Sequence, residues 1–179
     1  VKLAYLIMKK VFLLCIVLLF NSLLVKGQKN QLTGQAKKTA TLYTQDADYL
    51  VEEGNYYAAL PLYLKLIKLD STEEYYWFQA GICYIYTDEK EKSIQFLEKV
   101  YDEDPELQDI TYYLGRAYHI NYKFDTAITV FKKFLTTNAS EEKKKSAQNY
   151  ISYCKNAKLL VSHPEKVQIT NLGPVINTA

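Results

Sequence analysis

Downstream of the N-terminal region, the stretch Tyr75–Tyr86 (YYWFQAGICYIY) is apolar on almost every position, with Gln79 its one strongly polar residue. A helix at the surface of a globular protein keeps a polar face, and one apolar all round is covered on every side. The stretch is too short, and too closely flanked by charge, to cross a membrane. Two stripes run along it at helical spacing. Trp77, Ala80, Gly81 and Tyr84 recur at i, i+3, i+4 and i+7, as a core face does. Tyr75, Phe78, Ile82 and Tyr86 form the other.

The same pattern repeats along the chain with a period of 34. Ala47, Gly81 and Gly115 fall in one column, and Leu50, Tyr84 and Tyr118 in a second. Ala59, Ser93 and Ala127 form a third, Tyr63, Leu97 and Phe131 a fourth, and Leu66, Val100 and Phe134 a fifth. Small residues stand where two helices must cross closely, and large apolar ones surround them. Helix starts are expected at a Ser71–Glu74 capping box, at Asp88–Glu91, and at Asp104 with Pro105 in the first turn. Pro61 lies inside an expected helix and removes one backbone donor, which predicts a local kink. Ser140-Glu141-Glu142 begins a seventh helix with Ala147, Ile151 and Cys154 on one stripe. Its wet face carries Lys143, Lys144, Lys145, Lys155 and Lys158, as a terminal cap requires.

These columns resemble the tetratricopeptide repeat, whose pattern runs W-x2-L-G-x2-Y, then A-x3-F, then P. Trp77, Gly81, Tyr84 and Pro105 carry it in the second copy; Leu114, Gly115, Tyr118, Ala127 and Phe131 carry it in the third. The first copy departs, with Ala47 for glycine and Ser71 for proline. The resemblance implies an all-α, right-handed helical solenoid of three helix pairs plus a C-terminal capping helix, over residues 41–161. It also implies that the first helix of each pair lines a concave groove. On that basis Tyr75, Phe78, Ile82, Tyr86, Tyr112, Arg116 and His119 are the expected partner-binding residues. The alternative is that these aromatics pack on one another or under the segment 31–40. Repeats that clamp the acidic tail of a chaperone use asparagine and basic residues on the inner helices. Asp48, Ile82 and Arg116 stand at those positions here, so that pattern is not met.

Residues 1–27 read as a secretory signal peptide: Met8-Lys9-Lys10, an apolar run Val11–Phe20, and Val25-Lys26-Gly27 before a cut at Gln28. Residues 1–7 lie upstream of the expected start. A retained anchor is the competing reading, but Asn21 and Ser22 break a run already short of a membrane span. Residues 28–40 are an N-terminal segment. The chain as a whole carries net charge +2. Positions 1–27 hold four lysines and no acid, leaving 18 basic against 20 acidic residues, so no basic face points to nucleic acid. Seventeen tyrosines against six glycines suit packed helices better than loop-rich sheets. Cys83 and Cys154 are read as two buried thiols rather than a bridge, since they lie far apart in a linear repeat. With only His119 and His163 and no metal-ligand spacing, no metal or other cofactor is expected. No paired carboxylates and no nucleophile–base set can be argued from the spacing, so no enzyme activity is expected.

The tail, residues 162–179, alternates Val167, Ile169 and Leu172 before Gly173-Pro174, as extended chain and a turn do. Residues 153–158, 167–173 and 176–178 resemble the junction in one group of OmpA-family envelope proteins. That group carries a signal peptide, tetratricopeptide repeats, a WD-like β-propeller and an OmpA-like peptidoglycan-binding domain, and some members tether type IX secretion machinery to the cell wall. The resemblance implies a non-catalytic scaffold of the bacterial envelope, in the periplasm or on the periplasmic face of the outer membrane. Its partners would be envelope or secretion-system proteins held in the groove. Peptidoglycan would be reached only through a downstream domain, and the mature chain would not itself span the membrane. The alternative is a repeat module attached to a secreted hydrolase or glycan-binding protein. The downstream reading frame separates the two.

Overall fold

The structure, a computed structural model, describes residues 33–163. The signal peptide expected at 1–27 and the extended tail from position 164 onward lie outside the described residues. Seven helices follow one another: α1 (Gly34–Glu52), α2 (Tyr56–Leu69), α3 (Glu74–Ile85), α4 (Lys92–Glu103), α5 (Ile110–Ile120), α6 (Phe124–Leu135) and α7 (Glu141–Ser162). There is no strand among the described residues. Each helix packs on its neighbour in sequence, which gives the pairs α1–α2, α3–α4 and α5–α6, with α7 closing the end against α6. The odd-numbered helices form one layer: α3 approaches α5, and α5 approaches α7, while the even-numbered helices are held apart by those between them. α1 begins inside the segment 28–40, because Thr33 accepts from the Ala36 amide and caps it there.

The columns of period 34 lie in the core, with only Leu50 half-buried. Ala47, Ala59, Ala127, Ser93, Tyr63, Leu97, Phe131 and Leu66 are wholly buried, and Val100 and Phe134 nearly so. Gly81 and Gly115 mark close crossings: a Cβ on Gly81 would lie 2.7 Å from Leu97 Cγ, and one on Gly115 2.8 Å from the Phe131 ring. Two apolar clusters result. One joins α1, α2 and the face of α3 carrying Ala80, Cys83 and Tyr84. The other runs from Ile85 through α4, α5 and α6 to Ala147, Ile151 and Cys154 of α7. α3 therefore contributes to both, and Ala80–Ile85 are all buried. A helix with neighbours on three sides needs no polar face. Trp77 sits at the rim of this core rather than inside it. Its ring packs on Phe96 beneath the Lys99 ammonium, and its Nε1 donates to the Ser71 carbonyl at 3.0 Å.

Three helix starts differ from the sequence reading. Ser71–Glu74 makes no capping box: Glu73 is the N-cap without a side-chain bond. Asp70 instead accepts from the Thr72 amide and hydroxyl, a local turn that takes the acceptor away from the helix end. The helix after α3 starts at Lys92, again without a side-chain cap. Asp104 ends α4, and its carboxylate accepts from the Glu106 amide in the turn after it. α5 begins only after Asp109, held at φ 66°. Asp109 pairs with Lys143, which ties α7 to the third pair. The expected start of α7 stands: Ser140 accepts from the Lys143 amide. Pro61 lies inside α2 at an exposed position. Cys83 and Cys154 are both buried free thiols.

Candidate functional site

One further column of the repeat runs along the odd-numbered helices, on the stripe expected to face the groove: Asp48 on α1, Ile82 on α3, Arg116 on α5 and Tyr150 on α7. Asp48 is fixed by two phenols. Tyr63 and Tyr75 both donate to its Oδ1, at 2.6 and 2.7 Å. Burial, and then the hydrogen bond to this carboxylate, pushes the Tyr75 phenol up to about 12. The same two causes, in the same order, push Tyr63 far above the ordinary phenol range. Both therefore stay protonated donors at neutral pH.

Arg116 is fixed by rings. Its guanidinium lies 4.8 Å from the Tyr86 ring centre and 5.6 Å from that of Tyr150, and Nη1 donates to the Tyr86 hydroxyl. Tyr86 in turn stacks on Tyr56, with centroids 4.0 Å apart and planes 8° from parallel. Tyr150 stacks on Phe131 at 5.3 Å. A continuous ladder, Tyr56–Tyr86–Arg116–Tyr150–Phe131, thus crosses all three pairs and the cap. Cation–π contacts of this kind contribute about 0.5–2 kcal/mol each, more where water is excluded. No carboxylate among the described residues pairs with Arg116.

The residues expected on this face divide. Tyr75 and Tyr86 are exposed, at 37% and 38%. Phe78 is half-buried, with its ring edge-to-face against Tyr113 at 5.6 Å. His119 is half-buried against Tyr150 and Phe124, and burial followed by the Arg116 charge lowers its pKa. Ile82 and Tyr112 are corrected: at 6% and 8% exposure they belong to the packed interior rather than to an open lining. Tyr112 is covered because α7 lays Ser146 beside its hydroxyl at 2.9 Å, and Phe131, Phe134 and Tyr150 surround its ring. Sequence reasoning missed Tyr56, Tyr113 and Tyr150 as parts of the face. The repeat offers a signal for Tyr150, which stands one period after Arg116. Tyr56, Tyr86 and Arg116 follow a second spacing, thirty residues at each step.

The Cys83 thiol is pushed up to about 12 by burial, well outside the range of a reactive thiolate. Among the described residues no group of three or more His, Cys, Asp and Glu is placed to hold a metal ion. None of the described helices is long and apolar enough to cross a membrane.

Comparison with known proteins agrees with this architecture. The tetratricopeptide repeat family model matches residues 75–107, which is α3, α4 and the turn after them. No curated protein sequence matches the chain. Among solved structures, the second tetratricopeptide domain of human RPAP3, in complex with the HSP70 peptide SGPTIEEVD, superposes with a TM-score of 0.57 at 17% identity. That match covers 67% of this chain and 98% of the other. The tetratricopeptide domain of Sgt2 from Aspergillus fumigatus superposes with a TM-score of 0.58 at 14% identity, covering 86% and 97% respectively. The fold of the described residues is tetratricopeptide-like, an all-α array of three helix pairs and a cap.

Proposed function

From a tetratricopeptide-like fold with a tyrosine-lined inner face, we propose that the chain is a non-catalytic protein–protein scaffold. The inner face of α1, α3, α5 and α7 holds an extended segment of a partner protein. One observation carries this reading: Tyr75 and Tyr86 remain open on that face while Arg116, fixed between two rings, meets no carboxylate among the described residues. Tyrosine and arginine in such positions are common anchors of binding energy. The RPAP3 domain, a fold neighbour of this chain, is itself described as a peptide complex. That supports the class of function and says nothing about the partner.

The setting is proposed from the termini. Residues 1–27 have the organisation of a signal peptide, and residues 153–178 resemble the junction of OmpA-family envelope proteins. The protein then works in the periplasm or on the periplasmic face of the outer membrane. Its partners are envelope or secretion-system proteins, and peptidoglycan is reached only through a downstream OmpA-like domain. Affinity purification of the full-length protein from the envelope fraction tests both halves. The wild type should co-purify a defined partner, and the Tyr75→Ser/Tyr86→Ser variant should lose it while still folding to a cooperatively melting helical array. Retention of the partner by the folded variant would contradict the inner-face reading, and recovery of unprocessed protein in the cytosol would contradict the envelope setting.

A further inference from the structure

The polar groups on the inner face are arranged along a line. Both phenols that bind Asp48 use Oδ1, and Oδ2 accepts from no described residue. Arg116 commits Nη1 to Tyr86, while Nε and Nη2 donate to no described residue. No buried side-chain nitrogen or oxygen among the described residues lacks a partner, so these free atoms are not sealed from solvent, and both residues are half-buried. Asp48 and Arg116 occupy the same position of the repeat on α1 and α5, with the apolar Ile82 at that position on α3 between them. Packed helices lie about 8–10 Å apart, so two steps along the layer span about 20 Å. An extended chain rises about 3.3 Å per residue and covers that span in about six residues.

We infer that the inner face takes an extended peptide in one charge register: a lysine or arginine side chain on Asp48 and, six residues away, an aspartate or glutamate side chain on Arg116, with an apolar residue midway against the exposed Tyr75 and Tyr86 rings. This rests on the reading of that face as a partner site and adds the chemistry of the partner. Two features favour charge readout. The ring ladder holds the guanidinium in one place, so little side-chain freedom is lost when a carboxylate arrives. Two phenol donors hold Asp48 in the same way, and the Tyr75 and Tyr86 rings stand on either side of Ile82 along α3. A single fork-shaped donor pairs well with a carboxylate side chain. Opposite charges at the two ends also give the bound segment a direction, because the reversed peptide would place like charges together.

The test uses the full chain and short labelled peptides, acetylated and amidated, read by fluorescence anisotropy at low salt. Lys-Ser-Ser-Leu-Ser-Ser-Glu and its reverse order present both directions; a third peptide replaces both charges with glutamine. A fourth ends in a free carboxylate instead of the glutamate side chain. One of the two charged orders should bind at least tenfold more tightly than the glutamine peptide, and that preference should shrink at 0.5 M salt. Arg116→Gln and Asp48→Asn should each reduce the advantage several-fold. Equal binding of the charged and glutamine peptides would overturn the charge register, while loss of both on Tyr75→Ser/Tyr86→Ser would leave the partner site standing. Tighter binding of the free-carboxylate peptide would overturn the assignment to a side chain. Should no peptide bind the wild type, the partner-site reading would fall together with the register. If Arg116→Gln fails to fold, the peptide comparison on the wild type decides alone.

Discussion

At Gly81 an added Cβ would press within 2.7 Å of Leu97 Cγ, a branch point close to the backbone of a fully buried residue. Relief requires α3 and α4 to part, so Gly81→Ala should lower stability by about 1–3 kcal/mol, as overpacking does. Thermal melting by circular dichroism will read this, and an unchanged melting temperature would show that the crossing is looser than the structure has it. Tyr112 presents the opposite case. Its ring is packed among Phe131, Phe134 and Tyr150, so Tyr112→Ser should cost about 3–5 kcal/mol, as for other buried aromatics. Tyr112→Phe removes only the bond to Ser146 and should cost about 0.5–1.5 kcal/mol. His119 adds a pH dependence. Burial and the Arg116 charge hold its folded pKa below the ordinary value of 6.5, so the unfolded chain binds the proton more readily. Its contribution to stability is full above pH 6.5 and is lost as pH falls through the lower folded value. Melting temperatures at pH 7.5 and 5.5 should therefore differ more for the wild type than for His119→Gln.

Among the elements, α7 has the most specific task. Its stripe of Ala147, Ile151 and Cys154 is buried against the third pair, while Lys143 and Lys158 pair with Asp109 and Asp125 beyond its edges. Removal of residues 140 onward would strip cover from Phe131, Phe134 and Tyr112. A protein cut before Ser140 should lose its cooperative melt and aggregate, whereas one cut after His163 should keep the helical array; size-exclusion chromatography separates the outcomes. The helices and their pairing were legible in the sequence because close packing imposes the same demand every 34 residues. Every residue of the five columns except Leu50 is buried, although Ile94, Ile110 and Leu114 are among the core residues that lie outside them. Helix starts were less legible, since Asp70 and Asp104 satisfy nearby amides in turns instead of capping the helix that follows. The face assignment failed at Ile82 and Tyr112 for a related reason. A stripe on one helix does not reveal how far its neighbour reaches, and Tyr112 is covered where α7 brings Ser146 to its hydroxyl and Tyr150 to its ring.

For the whole molecule, the repeat layout determines which side chains the proposed partner face presents. The even-numbered helices close the core from outside, and the odd-numbered helices leave one row of side chains facing outward from the opposite layer. On that row Asp48, Tyr75, Tyr86, Arg116 and Tyr150 are fixed by one another, so the face exists before any partner arrives. A preformed face spends little binding energy on ordering itself. The most direct measurement is site-specific photocrosslinking in cells producing the full-length protein. A benzophenone amino acid placed at Gln79, on α3 between Tyr75 and Ile82, should yield a discrete adduct with a partner. The same group at Thr129, exposed on α6, should yield none. An adduct from Thr129 and none from Gln79, with both variants folded, would contradict the assignment of the inner face as the partner surface.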